Sequence, residues 1–479
     1  MTSGRVLDDP EPLAVTPEPV PEPVAEPEIV GAPPSPRALE LARLSPGRAT
    51  IDLAWPGIIE QLFRASGGTV TFAIVGQLGA VATAAMGAAY QYLFLLFPIW
   101  GALSTGTVAV ISRRMGEGRI AAASDALRQS LLLATALSVV SGIAFVVLAR
   151  PLLILIGAGD DVVAVGAPFL ALVGGLSIFQ TLGIIGGNAM RAAGDSRTPM
   201  WLSLVGSIGF VGLGYLFVHP LGLGVLGAGY AQLILAALST AVTIVILWRG
   251  REGLRLGGGT WSIQGETVRS LLSVSLPSMA ETLLFSVGIL ALGGIVFRFG
   301  TEAFAAHQII SSIEAMSFLP CVGFSAAAAA LVGQSLGMRQ PERAKSVGWA
   351  AMRMSALWTS TAGLAFALFP ALFLGLFTSS PDVVRAGVGA LIVVGIAQPA
   401  QAIIFTIGGA LRGAGDTRYT LGLTILNWFV VRFPLAVILG LVVGWGLTGV
   451  WIAVAIDYAV RAALMARRFH SGAWARRRV

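Results

Sequence analysis

Apolar stretches long enough to cross a bilayer recur twelve times in this chain, and no other feature narrows its fold so far. They cover roughly 51–75, 82–111, 127–149, 162–187, 200–219, 225–248, 271–297, 304–335, 348–373, 383–409, 419–442 and 447–466. A helix of about 20 residues spans the hydrocarbon core. Lipid offers the backbone no hydrogen-bond partner, so each stretch is expected to be a helix. Composition agrees. Of 479 residues, 56% are hydrophobic and 11% charged, against roughly 25% charged in a soluble chain. Mean hydropathy is +0.82. The expected class is an all-α polytopic membrane protein.

The stretches form two copies of one unit. Gly187-Asn-Ala-Met-Arg191-Ala-Ala-Gly194-Asp195-Ser-Arg197 returns, 221 residues later, as Gly408-Gly-Ala-Leu-Arg412-Gly-Ala-Gly415-Asp416-Thr-Arg418. The same offset pairs Pro56 with Pro277, Glu60 with Glu281, Gly79 with Gly300, Gly116 with Gly337 and Gln180 with Gln401. Matches so widely spread at one offset mark a duplication. The offset drifts to 222 near the end, where Gly224-Val-Leu-Gly227 meets Gly446-Leu-Thr-Gly449, so the second copy gained one residue. Six spans per copy preserve orientation, so the repeats are parallel and related by an axis along the membrane normal.

Arginine sets the expected orientation. Alternate gaps hold Arg113, Arg114 and Arg119; Arg191 and Arg197; Arg249, Arg251, Arg255 and Arg269; Arg339, Arg343 and Lys345; Arg412 and Arg418. The arginine-rich side is expected to face the cytoplasm of a plasma (inner) membrane, with both termini inside. The net charge of +7 is read as this topology and not as a nucleic-acid surface. Residues 1–48 alternate Pro and Glu, lack the apolar core of a signal peptide, and read as a disordered tail or a partner-docking one. The expected organisation is that tail, an N-lobe over 49–248, a linker over 249–270, a C-lobe over 271–466 and a basic tail over 467–479. A lone cysteine, Cys321, excludes an internal disulfide,. No HExxH, CxxC or Walker-type motif occurs, so no metal, cofactor or enzyme activity is expected,.

Several motifs together resemble the multidrug and toxic compound extrusion (MATE) transporters. They are the two Arg-x-x-Gly-Asp-[Ser/Thr]-Arg loops, Ala305-Ala-His307-Gln308, Ser317-Phe-Leu-Pro320, and Leu331-Val-Gly333-Gln-Ser-Leu-Gly337 with Pro341-Glu-Arg-Ala344. The resemblance covers residues 51–466. It implies a V-shaped bundle of two six-helix lobes and a central cavity open alternately to either face. It also implies export of bulky, often cationic organic molecules against H⁺ or Na⁺. One departure stands out: where many members carry an Asp in the first span, this chain has Thr71.

Ionisable side chains within the spans are the candidate working groups, because placing one at mid-membrane costs about 2.5–3.5 kcal/mol on insertion scales. Glu60 and Arg64 lie four apart, on one helix face, either as a proton site or as an ion pair bracing Pro56. Glu281 has Phe285 in the place of Arg64. It is therefore expected to lack a cation and to serve as proton carrier or substrate-cation ligand, the alternative being a neutral structural hydrogen bond. Glu314 either joins a polar cluster with Glu281 or holds helices together. His307 is a relay or a structural histidine. Asp457 pairs with Arg432 or holds H⁺ or Na⁺. Arg191, Asp195, Arg412 and Asp416 read as helix-terminal turns and caps, or as an inter-lobe gate. Tyr90, Gln91, Gln180, Asn188, Gln398, Gln401 and Asn427 are candidate cavity-lining groups, or interhelical glue.

The expected function is a secondary active exporter of organic cations, sufficient as a monomer. The alternative is a flippase for lipid-linked oligosaccharides or cell-wall precursors, which would need several cavity arginines to hold a diphosphate.

Overall fold

The computed structural model describes residues 34–94 and 97–477. Among these residues, the first copy contains α1 (Pro36–Arg43), α2 (Pro46–Gly76), α3 (Ala80–Phe94), α4 (Phe97–Gly116), α5 (Ile120–Leu155), α6 (Asp160–Gly175), α7 (Ile178–Ala192), α8 (Arg197–Val218) and α9 (Gly224–Arg249). The second contains α10 (Gly265–Phe297), α11 (Thr301–Gly337), α12 (Pro341–Leu368), α13 (Pro370–Gly375), α14 (Pro381–Gly413), α15 (Thr417–Leu426), α16 (Phe433–Val437) and α17 (Gly446–His470). Among the described residues, eight helical segments are long and apolar enough to cross a membrane, and α6 with α7, bent by 42° at their junction, adds a ninth. The other three expected spans fall on α2, α3–α4 and α12. Glu60, Gln61 and Arg64 lower the hydropathy of α2, and α12 opens on Glu342, Arg343 and Lys345. The spans between α3 and α4 flank residues 95–96, outside the described set. The result is a twelve-span, two-repeat membrane fold.

The apolar surface faces outward, as lipid requires. On α5, Val139, Val140, Ile143, Val146 and Val147 are exposed at helical spacing,. The interior is rich in small residues that let helices approach.

The lobes meet through α2 against α11 and α12, and α4 against α10 and α11. The pairs α2–α11 and α10–α4 are exchanged by the repeat, which gives the parallel pseudo-symmetry expected from the sequence. Contacts fall toward the arginine-rich ends. Gly323 of α11 packs on Ala54 and Ile58 of α2, and Gly106 of α4 packs on Leu271 and Ser275 of α10. The repeat partners Gly116 and Gly337 face each other here. A Cβ on Gly116 would lie 2.9 Å from the Gln334 carbonyl carbon, and one on Gly337 would lie 2.9 Å from that of Gly116. Only glycine permits this approach.

The expected disorder of residues 1–48 needs correction at its C-terminal end. Residues 1–33 lie outside the described set, but Pro36–Arg43 is helical and α2 already begins at Pro46. Ser35 caps α1, its Oγ accepting from Ala38 N at 3.2 Å, and Leu41 is buried. Helix α1 straps the two lobes together. Arg37 bonds Asp52 and the Gly194 carbonyl, while Arg343 of α12 donates to the Leu41 and Leu44 carbonyls at 2.6 and 3.1 Å. The C-terminal segment is also tied down: Trp474 is buried and stacks on Phe469. The segment between lobes is short and anchored. Leu254 and Leu256 are buried, and Arg128 of α5 donates to the Arg255 and Leu256 carbonyls.

The single-residue drift of the repeat falls in an irregular stretch of helix. Asn427–Arg432 and Ile438–Val442 are π-helical, and a π turn holds one residue more than an α turn. The gain falls between Arg418 and Gly446, where these turns lie.

Candidate functional site

A cavity of about 520 Å³ lies inside the N-lobe, walled mainly by α2, α7, α8 and α9. Val322, Gly323 and Ala326 of α11 close one side. Its volume suits an organic molecule of drug size. Its charged lining consists of Glu60, Arg64 and Arg191. Glu60 is buried, and both its oxygens are occupied. Arg64 Nη2 donates to Oε1 at 2.9 Å, and Arg191 Nη2 bonds Oε2. Arg191 Nη1 donates to Asn188 Oδ1 at 2.5 Å, and Asn188 Nδ2 bonds Ser104. Arg191 comes from the last turn of α7 and reaches into the lobe instead of ending in the turn, as its position after an apolar run had indicated. Tyr90, Gln180 and Asn188 line the cavity, and the Tyr90 hydroxyl donates to Gln232 at 2.9 Å.

The C-lobe contains the repeat of this arrangement in a filled form. Glu281 accepts from Thr420 Oγ1 at 2.7 Å, and Arg412 Nη1 stands 3.7 Å from its Oε1. The expectation that Glu281 lacks a cation is therefore corrected. Phe285 does replace Arg64, but Arg412 replaces Arg191. Glu314 sits apart from Glu281, so the expected joint cluster is not formed. It accepts from Gln401 Nε2 at 2.8 Å and from the Tyr458 hydroxyl at 3.1 Å. Among the described residues Glu314 has no ion pair. Asp457 pairs with Arg432, which lies over the Trp428 ring at 4.2 Å. Asn427 Nδ2 donates to the Asp457 carbonyl at 3.2 Å.

Several candidates fall elsewhere than expected. Gln398, Gln401 and Asn427 are buried in C-lobe packing and do not line the cavity; Gln398 accepts from Ser317 at 3.0 Å. Gln91 is exposed and does not line the N-lobe cavity. His307 is packed against Phe304 and Trp451, its Nδ1 without a partner. Thr71 is fully buried.

The loop motifs form no inter-lobe ion-pair gate among the described residues, because Arg191, Asp195, Arg412 and Asp416 are each paired within their own lobe or with the flanking segment. Asp195 caps α8, accepting from Arg197 N and Thr198 N at 3.1 and 3.0 Å, and pairs with Arg251 at 2.7 Å. Burial works against its charge, but the bonds from Thr198 and Arg251 prevail and hold the carboxyl below the usual aspartate range. Asp416 caps nothing. It pairs with Arg468 and Arg477 at 2.9 and 3.2 Å. Gly194 and Gly415 take φ of +102° and +84°, which makes both turns. Across the lobes the contacts are hydrogen bonds: Gln334 Nε2 donates to the Ala192 carbonyl at 2.8 Å, Arg114 Nη2 to Thr267 Oγ1 at 3.3 Å and Arg113 Nη1 to the Arg477 carbonyl at 2.9 Å.

The missed feature is the placement of the cavity inside one lobe, and the repeat explains it. Gly67 packs on Ser207 and, 221 residues later, Gly288 packs on Trp428, so the same contact carries a small side chain in one lobe and an indole in the other. At the later offset of 222, Leu235, Ala236 and Ser239 correspond to Asp457, Tyr458 and Arg461. Ser207, Leu235, Ala236 and Ser239 all line the cavity. Small side chains leave open in one lobe the space that large ones fill in the other.

The chain is 28% identical over 440 residues to a probable multidrug resistance protein NorM of Thermotoga maritima, covering 90% of this chain and 93% of the relative. It is 30% identical over 443 residues to the multidrug resistance protein NorM of Burkholderia vietnamiensis, covering 88% and 93%. Its fold matches a solved outward-facing structure of a multidrug resistance MATE family transporter of the MOP superfamily. That match has a TM-score of 0.84 at 22% identity, over 91% of this chain and 98% of that one. The MatE family model matches residues 56–216 and 277–438, one match in each lobe, and the chain belongs to that family.

Proposed function

We propose that this protein is a secondary active exporter of small organic molecules, antiporting them against H⁺ or Na⁺ by alternating access of its lobes. It works in the plasma membrane as a monomer, with the arginine-rich side and both termini cytoplasmic. The relatives' names support multidrug substrates. The observation that carries the reading is the placement of cavity and lobe junction. The cavity is hollow on the N-lobe side, α11 of the C-lobe forms part of its wall, and the lobes touch toward their arginine-rich ends.

Helix α11 is the proposed coupling element. It carries Glu314, then Pro320, then the cavity-wall residues Val322, Gly323 and Ala326. Pro320 removes one hydrogen bond from the helix ladder and so weakens it between the two sites. Protonating Glu314 breaks no ion pair, whereas protonating Glu60, Glu281 or Asp457 discharges one. Glu314 therefore replaces Glu281 as the proposed proton carrier. Exchange at Glu314 would re-pack Gln401 and Tyr458 and tilt the cavity wall. The cationic-substrate expectation rested on the family resemblance and on an unpaired Glu281, and it loses the second support.

The test is proton-gradient collapse in Na⁺-free everted vesicles on adding each of a panel of acidic, neutral and cationic compounds. Collapse in the parent and none with Glu314→Gln supports H⁺ coupling at Glu314. Equal collapse in both removes Glu314 from the mechanism.

A further inference from the structure

The charge and free donors of the N-lobe cavity specify what it accepts. We propose that its occupant is an amphipathic organic molecule bearing a carboxylate, phosphate or sulfonate, seated on Arg64 with Arg191 behind it. This rests on the exporter reading and names its substrate class.

Two guanidiniums and one carboxylate line the cavity, leaving one positive charge in excess. Both Glu60 oxygens are already bonded to arginines. A cationic ligand would have to displace a guanidinium from a buried carboxylate, leaving charge uncompensated. An anion breaks nothing. The Arg64 side chain is 49% exposed and bonds Glu60 through Nη2, while its Nε and Nη1 have no hydrogen-bond partner among the described residues. A guanidinium presents five donors in a planar fork that fits the two oxygens of a carboxylate or phosphate.

Arg64 is half exposed and so is not committed to packing, unlike the residue at its repeat position. Its counterpart Phe285 simply sets its ring edge-on to Trp428, with centroids 6.0 Å apart. The apolar part of the occupant has its own wall in Phe179, Leu202 and Phe210. Arg191, held by Glu60 and Asn188, is positioned behind Arg64 to fix the fork and reinforce the positive potential.

The experiment is equilibrium binding to full-length protein in nanodiscs, with carboxyfluorescein as the anionic probe and tetraphenylphosphonium as the cationic competitor. Arg64→Gln and Arg64→Lys run beside the parent. Melting temperature serves as the folding control, since Arg191 still holds Glu60 in both variants. Expected are saturable dye binding, weakening of roughly ten- to a hundredfold in Arg64→Gln, partial recovery in Arg64→Lys, and no displacement by the cation. Adding phosphatidylglycerol separates sources: competition assigns the site to a lipid phosphate, and no competition assigns it to a soluble organic acid. Dye binding that is absent or indifferent to Arg64→Gln, with tight binding of the cation, would overturn the proposal. The two readings fail separately. Export of cations alone in vesicles sinks the acidic site and keeps the exporter. Arg64-dependent dye binding without any transport does the reverse.

Discussion

The two lobes share one backbone plan and differ in what fills it. Glu60 and Glu281 occupy the same position, and each has the arginine that stands 131 residues further along beside it, Arg191 and Arg412. Around the first pair the lobe is hollow. Around the second, Trp428, Arg432, Asp457, Tyr458 and Arg461 are all buried. A duplication can therefore keep its charged frame while changing what surrounds it, with a cavity in one copy and buried polar and aromatic side chains in the other. The π turns belong to the filled lobe, where they bring Asn427, Trp428 and Arg432 inward against α17.

The comparison breaks most completely if the hollow lobe is filled. Ser207→Trp with Ala236→Tyr copies C-lobe residues into the cavity. Transport is expected to fall about a hundredfold or more, some 3 kcal/mol, with the protein still monodisperse by size exclusion. Near-parent transport would show that the cavity is not the substrate chamber.

Stripping the filled lobe of its buried pair acts on stability. Asp457→Leu leaves Arg432 buried and unpaired, at a cost of about 3–5 kcal/mol. Arg432→Val with Asp457→Leu restores the N-lobe pattern of Val211 and Leu235, and should melt higher than Asp457→Leu alone. A double variant that melts lower would mean that the pair contributes more than mutual neutralisation.

The loop aspartates give a smaller contrast. Asp195→Ala removes a helix cap worth about 1 kcal/mol, while Asp416→Ala removes no cap. The folded Asp195 carboxyl lies below its ordinary value. Its contribution is thus full above the unfolded aspartate pKa of about 3.9 and fades as pH falls through the lower folded value. The parent's melting advantage over Asp195→Ala should persist at neutral pH and shrink only in strong acid. A gap that closes near pH 6 would assign the effect to another group.

Much of this was readable in the chain. Twelve spans, their helicity and the parallel repeat follow from apolar length and one offset. Glu60 and Arg64 announce themselves because charge at mid-membrane is costly. Arg191 and Arg412 were harder, since a cation at the end of an apolar run reads equally as a cap. Their signal was the offset itself, which carries acid and arginine together in both copies. The chamber was hidden because emptiness belongs to no single residue. It appears only when Ser207 is set against Trp428, and the register shifts by one residue on the way to Ala236 and Tyr458.

The most direct test of the division of labour is transport by Glu314→Gln in proteoliposomes, using one compound that the parent exports. Gradient-free exchange of labelled for unlabelled compound reports the N-lobe chamber, and gradient-driven accumulation reports the C-lobe carboxyl. The account predicts that exchange persists while accumulation stops. Loss of both together, or survival of both, would contradict it.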